Sequence, residues 1–257
     1  MIFFVFALLV ICLYGITIYQ KPDFCRDYLS KTNTMSVRGL FVLLVIASHF
    51  KQYVELTGSY DTMYKRLSGY LSQTVIVMFL FYSGYGIYES IKAKGSGYVK
   101  AMPVRRILVT FVNLALALFC FLFVNRLLGI SYDRRTILLA FTGWKTIGNS
   151  NWYIFAMMFL YIVTWLSFTV FRKHPVAAIS AVTLFCGLYM VRLYAIYPKQ
   201  GWWYNTIFCY AFGMWYSFFK DDIERLLFTP PPVLRRFVSY SPQFSGFASP
   251  CREHSYL

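Results

Sequence analysis

The chain of 257 residues is 58% hydrophobic and only 14% charged, whereas soluble domains carry about 25% charged residues, so the composition excludes an ordinary soluble fold. The net charge of +15 is compatible with nucleic-acid binding. However, Lys and Arg occupy short segments between apolar stretches rather than one soluble face. We therefore expect an integral membrane protein whose partner is the lipid bilayer and not a nucleic acid.

Seven apolar stretches reach the roughly 17–25 residues that a helix needs to cross a bilayer. The sequence thus predicts an all-α fold, a multi-pass transmembrane helical bundle of about seven spans. In chain order these are Ile2–Tyr19, Val37–Val54, Leu67–Tyr88, Ile107–Leu128, Trp152–Phe171, Val176–Tyr197 and Trp203–Phe219. Thr136–Trp144 is too short to be another. Residues 1–219 form the predicted transmembrane domain, and we expect residues 220–257 to be a disordered cytoplasmic tail.

The distribution of basic residues predicts the orientation of the chain. The first span lacks the basic start and the small-residue cleavage pattern of a secretory signal, so we interpret it as a retained helix. Arg38, Lys51 and Arg126 lie near span ends and are counted with the adjoining segments. The segments after spans one, three and five and the tail then hold 16 Lys and Arg, against 8 after spans two, four and six. Because cytoplasmic segments carry the basic excess, we expect an outer N-terminus, a cytoplasmic C-terminus and a multi-pass location in the plasma (inner) membrane.

The stretch "SVRGLFVLLVIASHF", Ser36–Phe50, at the second span carries two ionisable side chains, Arg38 and His49. An α-helix turns about 100° per residue, so positions eleven apart differ by only about 20° around the axis and by about 16 Å along it. The two side chains therefore share one helix face. This pattern favours a polar channel inside the bundle, yet an arginine that extends to the lipid headgroups and a histidine at the opposite interface would give the same pattern.

A catalytic role is favoured by the chemistry of histidine. An ordinary imidazole exchanges protons close to neutral pH, which suits a general base. His49 is the single histidine within a predicted span, and no Asp or Glu lies in one. The six cysteines include no CxxC pair, so the sequence predicts neither a zinc site nor a disulfide framework, and we expect no metal.

Four segments carry a family resemblance. Arg38 and His49, with ten residues between them, lie in "VRGLFVLLVIASHF", and the other segments are "MFLFYSGYGIYES" (Met78–Ser90), "YVKAMPVRRILVTF" (Tyr98–Phe111) and "NWYIFAMMFLYIVTW" (Asn151–Trp165). In this order, from about Thr34 to Phe219, they resemble the acyltransferase-3 family of membrane-embedded enzymes, which O-acylate sugars and other cell-envelope or secreted molecules. The resemblance makes residues 1–219 an acyltransferase-like domain.

The resemblance implies that an acyl group, usually acetyl, passes from cytoplasmic acetyl-CoA to a hydroxyl of a glycan or lipid-linked sugar. His49 would then be the general base, and Arg38 would hold either a coenzyme A phosphate or the developing oxyanion. Arg105 and Arg106, in the most basic loop, would bind coenzyme A phosphates, or would simply set the topology. The family's R-x-x-R pattern is incomplete here, because Val109 stands where a second arginine would follow Arg106.

Five further residues are candidates for binding the acceptor, each with a structural alternative. Ser83 and Tyr85 lie in the small-residue segment "SGYG", which could approach a ligand or another helix. Trp152 and Tyr153 fit a substrate platform, or else an aromatic pair at the membrane interface. Arg192, within the sixth span, would line a polar cavity or extend to the nearest surface.

Two other functions compete with an enzyme. A transporter or channel would also have many helices with intramembrane Arg and His, but coupled carriers commonly need a carboxylate in their spans, and we find no inverted repeat. Family members usually have more spans than this chain, so the second alternative is a truncated, inactive member.

Overall fold

A computed structural model describes residues 2–14, 28–50, 54–55, 57–58 and 61–228. Within these residues there is no β-strand, and the predicted all-α class is confirmed. The helices are α1 (Ile2–Leu13), α2 (Lys31–Phe50), α3 (Asp61–Met102), α4 (Val109–Leu127), α5 (Arg134–Phe141), α6 (Trp152–Val170), α7 (Pro175–Ile196), α8 (Phe208–Phe218) and α9 (Lys220–Phe228). A π-helical segment, Pro103–Leu108, joins α3 to α4, and a 3₁₀ turn, Gly201–Trp203, precedes α8.

The chain divides into two compact units. The first unit comprises residues Met1–Val75 and Phe218–Leu257, and the second comprises Ile76–Ser217. Helix α2 therefore belongs to the first unit, whereas α4 to α7 belong to the second.

Four helical segments are long and apolar enough to cross a bilayer. They are Lys31–Phe50, Gln73–Leu127, Trp152–Val170 and Pro175–Ile196. The expectation of a helical membrane protein agrees with this finding. The run Gln73–Leu127 has 55 residues, well beyond the roughly 20 that one crossing requires.

The prediction of seven spans is not confirmed. Helix α1 has 12 residues, and residues 15–19 of the first predicted span lie outside the described residues. Helix α8 has 11 residues, which makes it only about 16 Å long, roughly half the hydrocarbon thickness. The last predicted span is shorter than expected because residues 203–207 form 3₁₀ and turn structure; their aromatic side chains raise the apolar content without making the backbone helical.

The basic segment after the third predicted span is helical rather than a loop, which corrects the expectation for Arg105 and Arg106. Lysine and alanine, frequent in this segment, are good helix formers, and the chain passes from α3 through the π-helical segment into α4. Helical geometry is interrupted at Gly95, where φ is 56° and ψ is −142°. This left-handed φ favours glycine, so a single residue sets the position of the kink.

The core of the second unit is formed largely by α6 packed along α7. Both helices bury residues at helical spacing, among them Ala156, Leu160 and Val163 on α6 and Ile179 and Val182 on α7. A second apolar cluster joins α4 to α5 and the segment after it, through Leu114, Leu118, Ala140 and Ile147. The buried residues of α6 and of α7 thus recur at helical spacing, so that each helix packs through one face.

Residues at both ends of the chain meet in the first unit. The Tyr28 hydroxyl donates a hydrogen bond to Glu224 Oε1 at 3.3 Å, and Lys220 Nζ lies 3.8 Å from the same carboxylate. The segment expected to be a tail from residue 220 therefore begins with a helix, α9. The rest of the predicted tail, residues 229–257, lies outside the described residues.

Candidate functional site

Helix α2 carries Arg38 and His49, the two residues predicted to be catalytic. The helix is continuous from Lys31 to Phe50, so the geometry expected from their spacing applies: about 20° apart around the axis and about 16 Å apart along it. Both side chains are half-buried. The structure thus places a guanidinium and an imidazole on one side of a single apolar helix.

Exposure along α2 shows how that side relates to the rest of the helix. The less exposed residues include Thr34, Phe41 and Val45, whereas Val42 and Ile46 are exposed. On a helical wheel, Arg38 and His49 fall next to Val45 on one border of the packed face, and Val42 begins the exposed face. Arg38 and His49 therefore lie at the edge of the packed side of α2 and not in the middle of its exposed side.

A tyrosine from the start of α3 holds the last turn of α2, where His49 lies. The Tyr64 hydroxyl donates a hydrogen bond to the carbonyl oxygen of Ala47, and both residues are buried. Burial raises the pKa of Tyr64 above its ordinary value, so the phenol stays protonated and remains a donor. Sequence reasoning missed Tyr64, whose signal is an aromatic residue within the polar stretch Asp61–Ser68.

In the second unit, the predicted acceptor residues Ser83 and Tyr85 flank a close crossing of α3 and α8. A Cβ atom at Gly84 would overlap the carbonyl oxygen of Tyr210, and one at Gly213 would overlap that of Phe81. Ser83 is half-buried and Tyr85 is buried. Gly84, in the middle of "SGYG", therefore serves close helix packing, which was the structural alternative for this segment.

The crossing also buries polar atoms and aromatic rings. The Tyr210 hydroxyl lies 2.9 Å from the Thr164 hydroxyl, and both residues are fully buried. The rings of Tyr85 and Tyr216 are 6.3 Å apart. Tyr85 is thus held among aromatic neighbours, which fixes its ring direction.

Trp152 and Tyr153 form the first turn of α6, as an aromatic pair. Their rings meet edge to face at 6.1 Å, and the Tyr153 ring lies 6.3 Å from that of Phe79. Both residues are half-buried. Asn151, just before them, is fully buried, and its amide donates a hydrogen bond to the carbonyl oxygen of Lys145.

Arg192 lies on α7, four residues before its end, and is exposed. Its neighbours Leu188 and Val191 are exposed as well. This position fits an arginine that extends along an apolar surface toward the membrane boundary.

Arg105 and Arg106 differ in environment although they are adjacent. Arg105 is exposed, whereas Arg106 is half-buried and donates from Nε to the Tyr98 hydroxyl at 3.1 Å. Tyr161 and Tyr210 are its further electrostatic neighbours. The π-helical backbone, in which one turn is wider than in an α-helix, is a form often found at functional sites. Because of its burial and its hydrogen bond to Tyr98, the Arg106 side chain is more restrained than that of Arg105.

A carboxylate that sequence reasoning overlooked lies one residue beyond the third predicted span. Glu89 forms an ion pair with Lys92 and accepts a hydrogen bond from the Ser217 hydroxyl at 2.7 Å. Lys92 Nζ in turn donates a hydrogen bond to the Ser217 carbonyl oxygen at 3.0 Å. The group links α3 to the end of α8 and lies in the continuous helical run Gln73–Leu127. The i,i+3 spacing of Glu89 and Lys92 was the available signal.

The structure thus brings the predicted residues into separate groups. Arg38 and His49 share α2 in the first unit, and the seven other candidates belong to the second unit, where Arg106 contacts Tyr98, and Ser83 and Tyr85 lie at the α3–α8 crossing. In the described part of the chain, no group of three His, Cys, Asp or Glu side chains is placed to hold a metal ion. Comparisons with protein-family models, curated proteins and solved structures yield no match.

Proposed function

We propose that the chain is a membrane-embedded O-acyltransferase that moves an acyl group, in the first instance acetyl, from cytoplasmic acyl-CoA to a hydroxyl of a cell-envelope or exported glycan. The observation that carries this proposal is the placement of Arg38 and His49, both half-buried, on one side of the continuous apolar helix α2. The ordered resemblance of four segments to acyltransferase-3 enzymes supplies the reaction.

The reaction needs one base at the acceptor hydroxyl. The hydroxyl oxygen bonds to the thioester carbonyl carbon while His49 takes the hydroxyl proton; the carbon–sulfur bond then breaks, and the thiolate leaves with the proton that the imidazolium returns. A positioned base of this kind contributes about 10²–10⁴-fold. Tyr64, which holds the carbonyl oxygen two residues before His49, would act as a positioning residue for the imidazole.

Arginine side chains would hold the donor. Guanidinium groups bind phosphate oxygens in pairs, and coenzyme A is an elongated molecule with phosphates far from its thioester. A rise of about 16 Å between Arg38 and His49 suits a phosphate contact for Arg38 better than a contact with the reacting carbonyl. Arg106, held by Tyr98, and Arg105 are the cations proposed for the remaining phosphates.

Aromatic and polar side chains are the groups proposed to bind the acceptor. Trp152 and Tyr153 offer half-buried rings at the start of α6, and sugar rings stack well on such surfaces. Ser83 and Tyr85 offer hydroxyls, and Arg192 offers an exposed charge for a lipid-linked phosphate. The orientation predicted from the basic residues would expose the start of α6 outside the plasma membrane, where exported glycans are found.

The test is transfer of labelled acetyl from acetyl-CoA to envelope glycan in membranes that contain the chain. His49→Ala should lower the transfer rate about 10²–10⁴-fold. His174→Ala is the matched control, because His174 is an exposed histidine just before α7, and it should retain the wild-type rate. Equal rates for wild type and His49→Ala would remove His49 as the base.

A transporter remains the second candidate, because of Glu89. Its carboxylate lies in the helical run Gln73–Leu127, and carboxylates are the kind of group that coupled carriers use. Glu89→Gln separates the two functions, since the substitution removes the charge and keeps the shape. Uptake that depends on the chain and is lost in Glu89→Gln, without acyl transfer by the wild type, would favour the carrier.

A further inference from the structure

The second unit contains a cavity of about 540 Å³ where the kink of α3 meets the connection between α6 and α7. Its volume falls in the range of small-molecule sites, roughly 300–1,000 Å³. The apolar part of its wall includes Tyr88, Ile91, Val99 and Phe168, and three cationic residues complete it: Lys92, Arg172 and Lys173. None of the residues predicted from the sequence to bind donor or acceptor lines this cavity.

The cations of the cavity differ in how far they are neutralised. Lys92 is paired with Glu89, so these two contribute little net charge. Arg172 and Lys173 are exposed, and in the described part of the chain no carboxylate lies within ion-pair distance of either. The cavity therefore has a net positive wall formed mainly by two neighbouring residues.

The position of Arg172 and Lys173 relative to the bilayer follows from chain length. Residues 171–174 are all that joins α6 to α7, and both helices are long and apolar enough to cross a membrane. So short a connection between two spans has to lie at the membrane surface, at the depth of the lipid phosphates. The apolar wall formed by Ile91, Val99 and Phe168 adjoins these cations.

The kink of α3 shapes the other side of the cavity. Gly95 lines it and has the left-handed backbone that interrupts the helix. Ser96, the next residue, adds a hydroxyl to the lining. A cationic wall, a hydroxyl and an adjoining apolar surface at headgroup depth match a phosphate carried by an apolar molecule better than a free ion.

We propose that this cavity binds a phosphate group at Arg172 and Lys173, as presented by the headgroup of an anionic phospholipid. The same chemistry could come from a soluble phosphate compound, and the experiment distinguishes the two sources. The proposal concerns binding alone, so its failure would leave the acyl-transfer proposal untouched.

The experiment measures binding of phosphatidylglycerol to the purified chain in neutral detergent by native mass spectrometry. Each cation near a membrane surface contributes about 1 kcal/mol toward anionic lipid, so Arg172→Ala with Lys173→Ala should weaken binding about thirtyfold. The matched control is Lys94→Ala with Lys100→Ala, which removes two exposed lysines of α3 that do not line the cavity. The control should change binding by less than about twofold, and phosphatidylcholine should bind weakly to all forms.

A third variant tests the cavity itself. Ser96→Trp fills the space without changing any charge, and it should weaken phosphatidylglycerol binding as the double substitution does. Displacement of the lipid by an equal concentration of glycerol 3-phosphate would support the site and name a soluble phosphate as its source. Equal loss in both double variants, no loss in either, or full binding by Ser96→Trp would overturn the proposal.

Discussion

Helix α2 and the α6–α7 pair are both apolar enough to cross a membrane, but they differ sharply in packing. In the most apolar window of α2, 11% of residues are buried, against 44% in α6 and 33% in α7. The lightly packed helix carries Arg38 and His49. The well-packed pair has no ionisable side chain in its buried core apart from Cys186 and Tyr189.

Under the proposed function, this difference would separate the helix that carries the reaction from the helices that hold the fold together. Substitutions on α2 should alter the reaction while leaving the fold intact, because few of its side chains are buried in the core. Substitutions of the buried residues of α6 and α7 should instead lower the stability of the fold, since close-packed interiors respond to the loss of even a few atoms.

The largest expected effect is on the rate of acyl transfer. His49→Ala should reduce kcat by about 10²–10⁴-fold through loss of the base, with the thermal midpoint of unfolding in detergent unchanged. Measuring both quantities on the same preparation is essential to the comparison. A fall in the midpoint that accounts for the lost activity would mean that His49 supports structure instead.

The next largest effect is expected on the free energy of unfolding, and substitution of one buried and one exposed leucine would reveal it. Leu160 on α6 is fully buried, whereas Leu43 on α2 is exposed. Leu160→Ala should lower the free energy of unfolding by about 2–5 kcal/mol, and Leu43→Ala should change it little. Denaturation monitored by circular dichroism would show the difference, and similar losses for both variants would end the contrast between the two regions.

A smaller loss of stability is expected at the crossing of α3 and α8. Gly213→Ala should destabilise the chain by about 1–3 kcal/mol, because the added Cβ meets the backbone of Phe81 and forces the helices apart. Gly86→Ala, at a helical glycine with open space around it, should be neutral or slightly stabilising. The midpoint of thermal unfolding should therefore fall for Gly213→Ala and stay unchanged or rise for Gly86→Ala, and an equal fall for both variants would argue against a close crossing.

The smallest effect separates two adjacent arginines. Arg106→Ala should raise the KM for acetyl-CoA about tenfold with little change in kcat, since a phosphate contact in the ground state is removed. Arg105→Ala should raise it less, because Arg105 is exposed and Arg106 is held by Tyr98. Steady-state kinetics with varied acetyl-CoA would give both values; equal changes would mean that Tyr98 does not orient Arg106 for binding.

Much of the fold follows from apolar composition alone. The helices around Arg38, Trp152 and Cys186 lie where apolar runs predict them, because a span must be both long and free of charge. The start of the last predicted span differs, since hydropathy measures side chains and does not detect the turn at residues 203–207. The kink of α3 lies at one glycine, Gly95. A single glycine in the sequence does not tell whether the segment between the third and fourth predicted spans is a helix or a loop.

The site was less accessible to sequence reasoning. A shared face for Arg38 and His49 depends only on spacing along one helix, so it could be predicted. The cavity unites Lys92 with Arg172 and Lys173, about eighty residues apart in sequence, and no local pattern predicts such a meeting. Glu89 was left out of the sequence argument because it lies one residue beyond the predicted span, a distance within the usual uncertainty of helix boundaries.

The most direct test of the central claim is whether positions 38 and 49 are in contact with water. In a chain with its native cysteines replaced, Arg38→Cys and His49→Cys should react with a membrane-impermeant maleimide applied to opened membranes, while Val42→Cys and Ile46→Cys, on the exposed apolar face of α2, should be protected by lipid. Labelling at positions 42 and 46, with positions 38 and 49 unreactive, would contradict the account, because the arginine and histidine would then have no aqueous cleft in which to act.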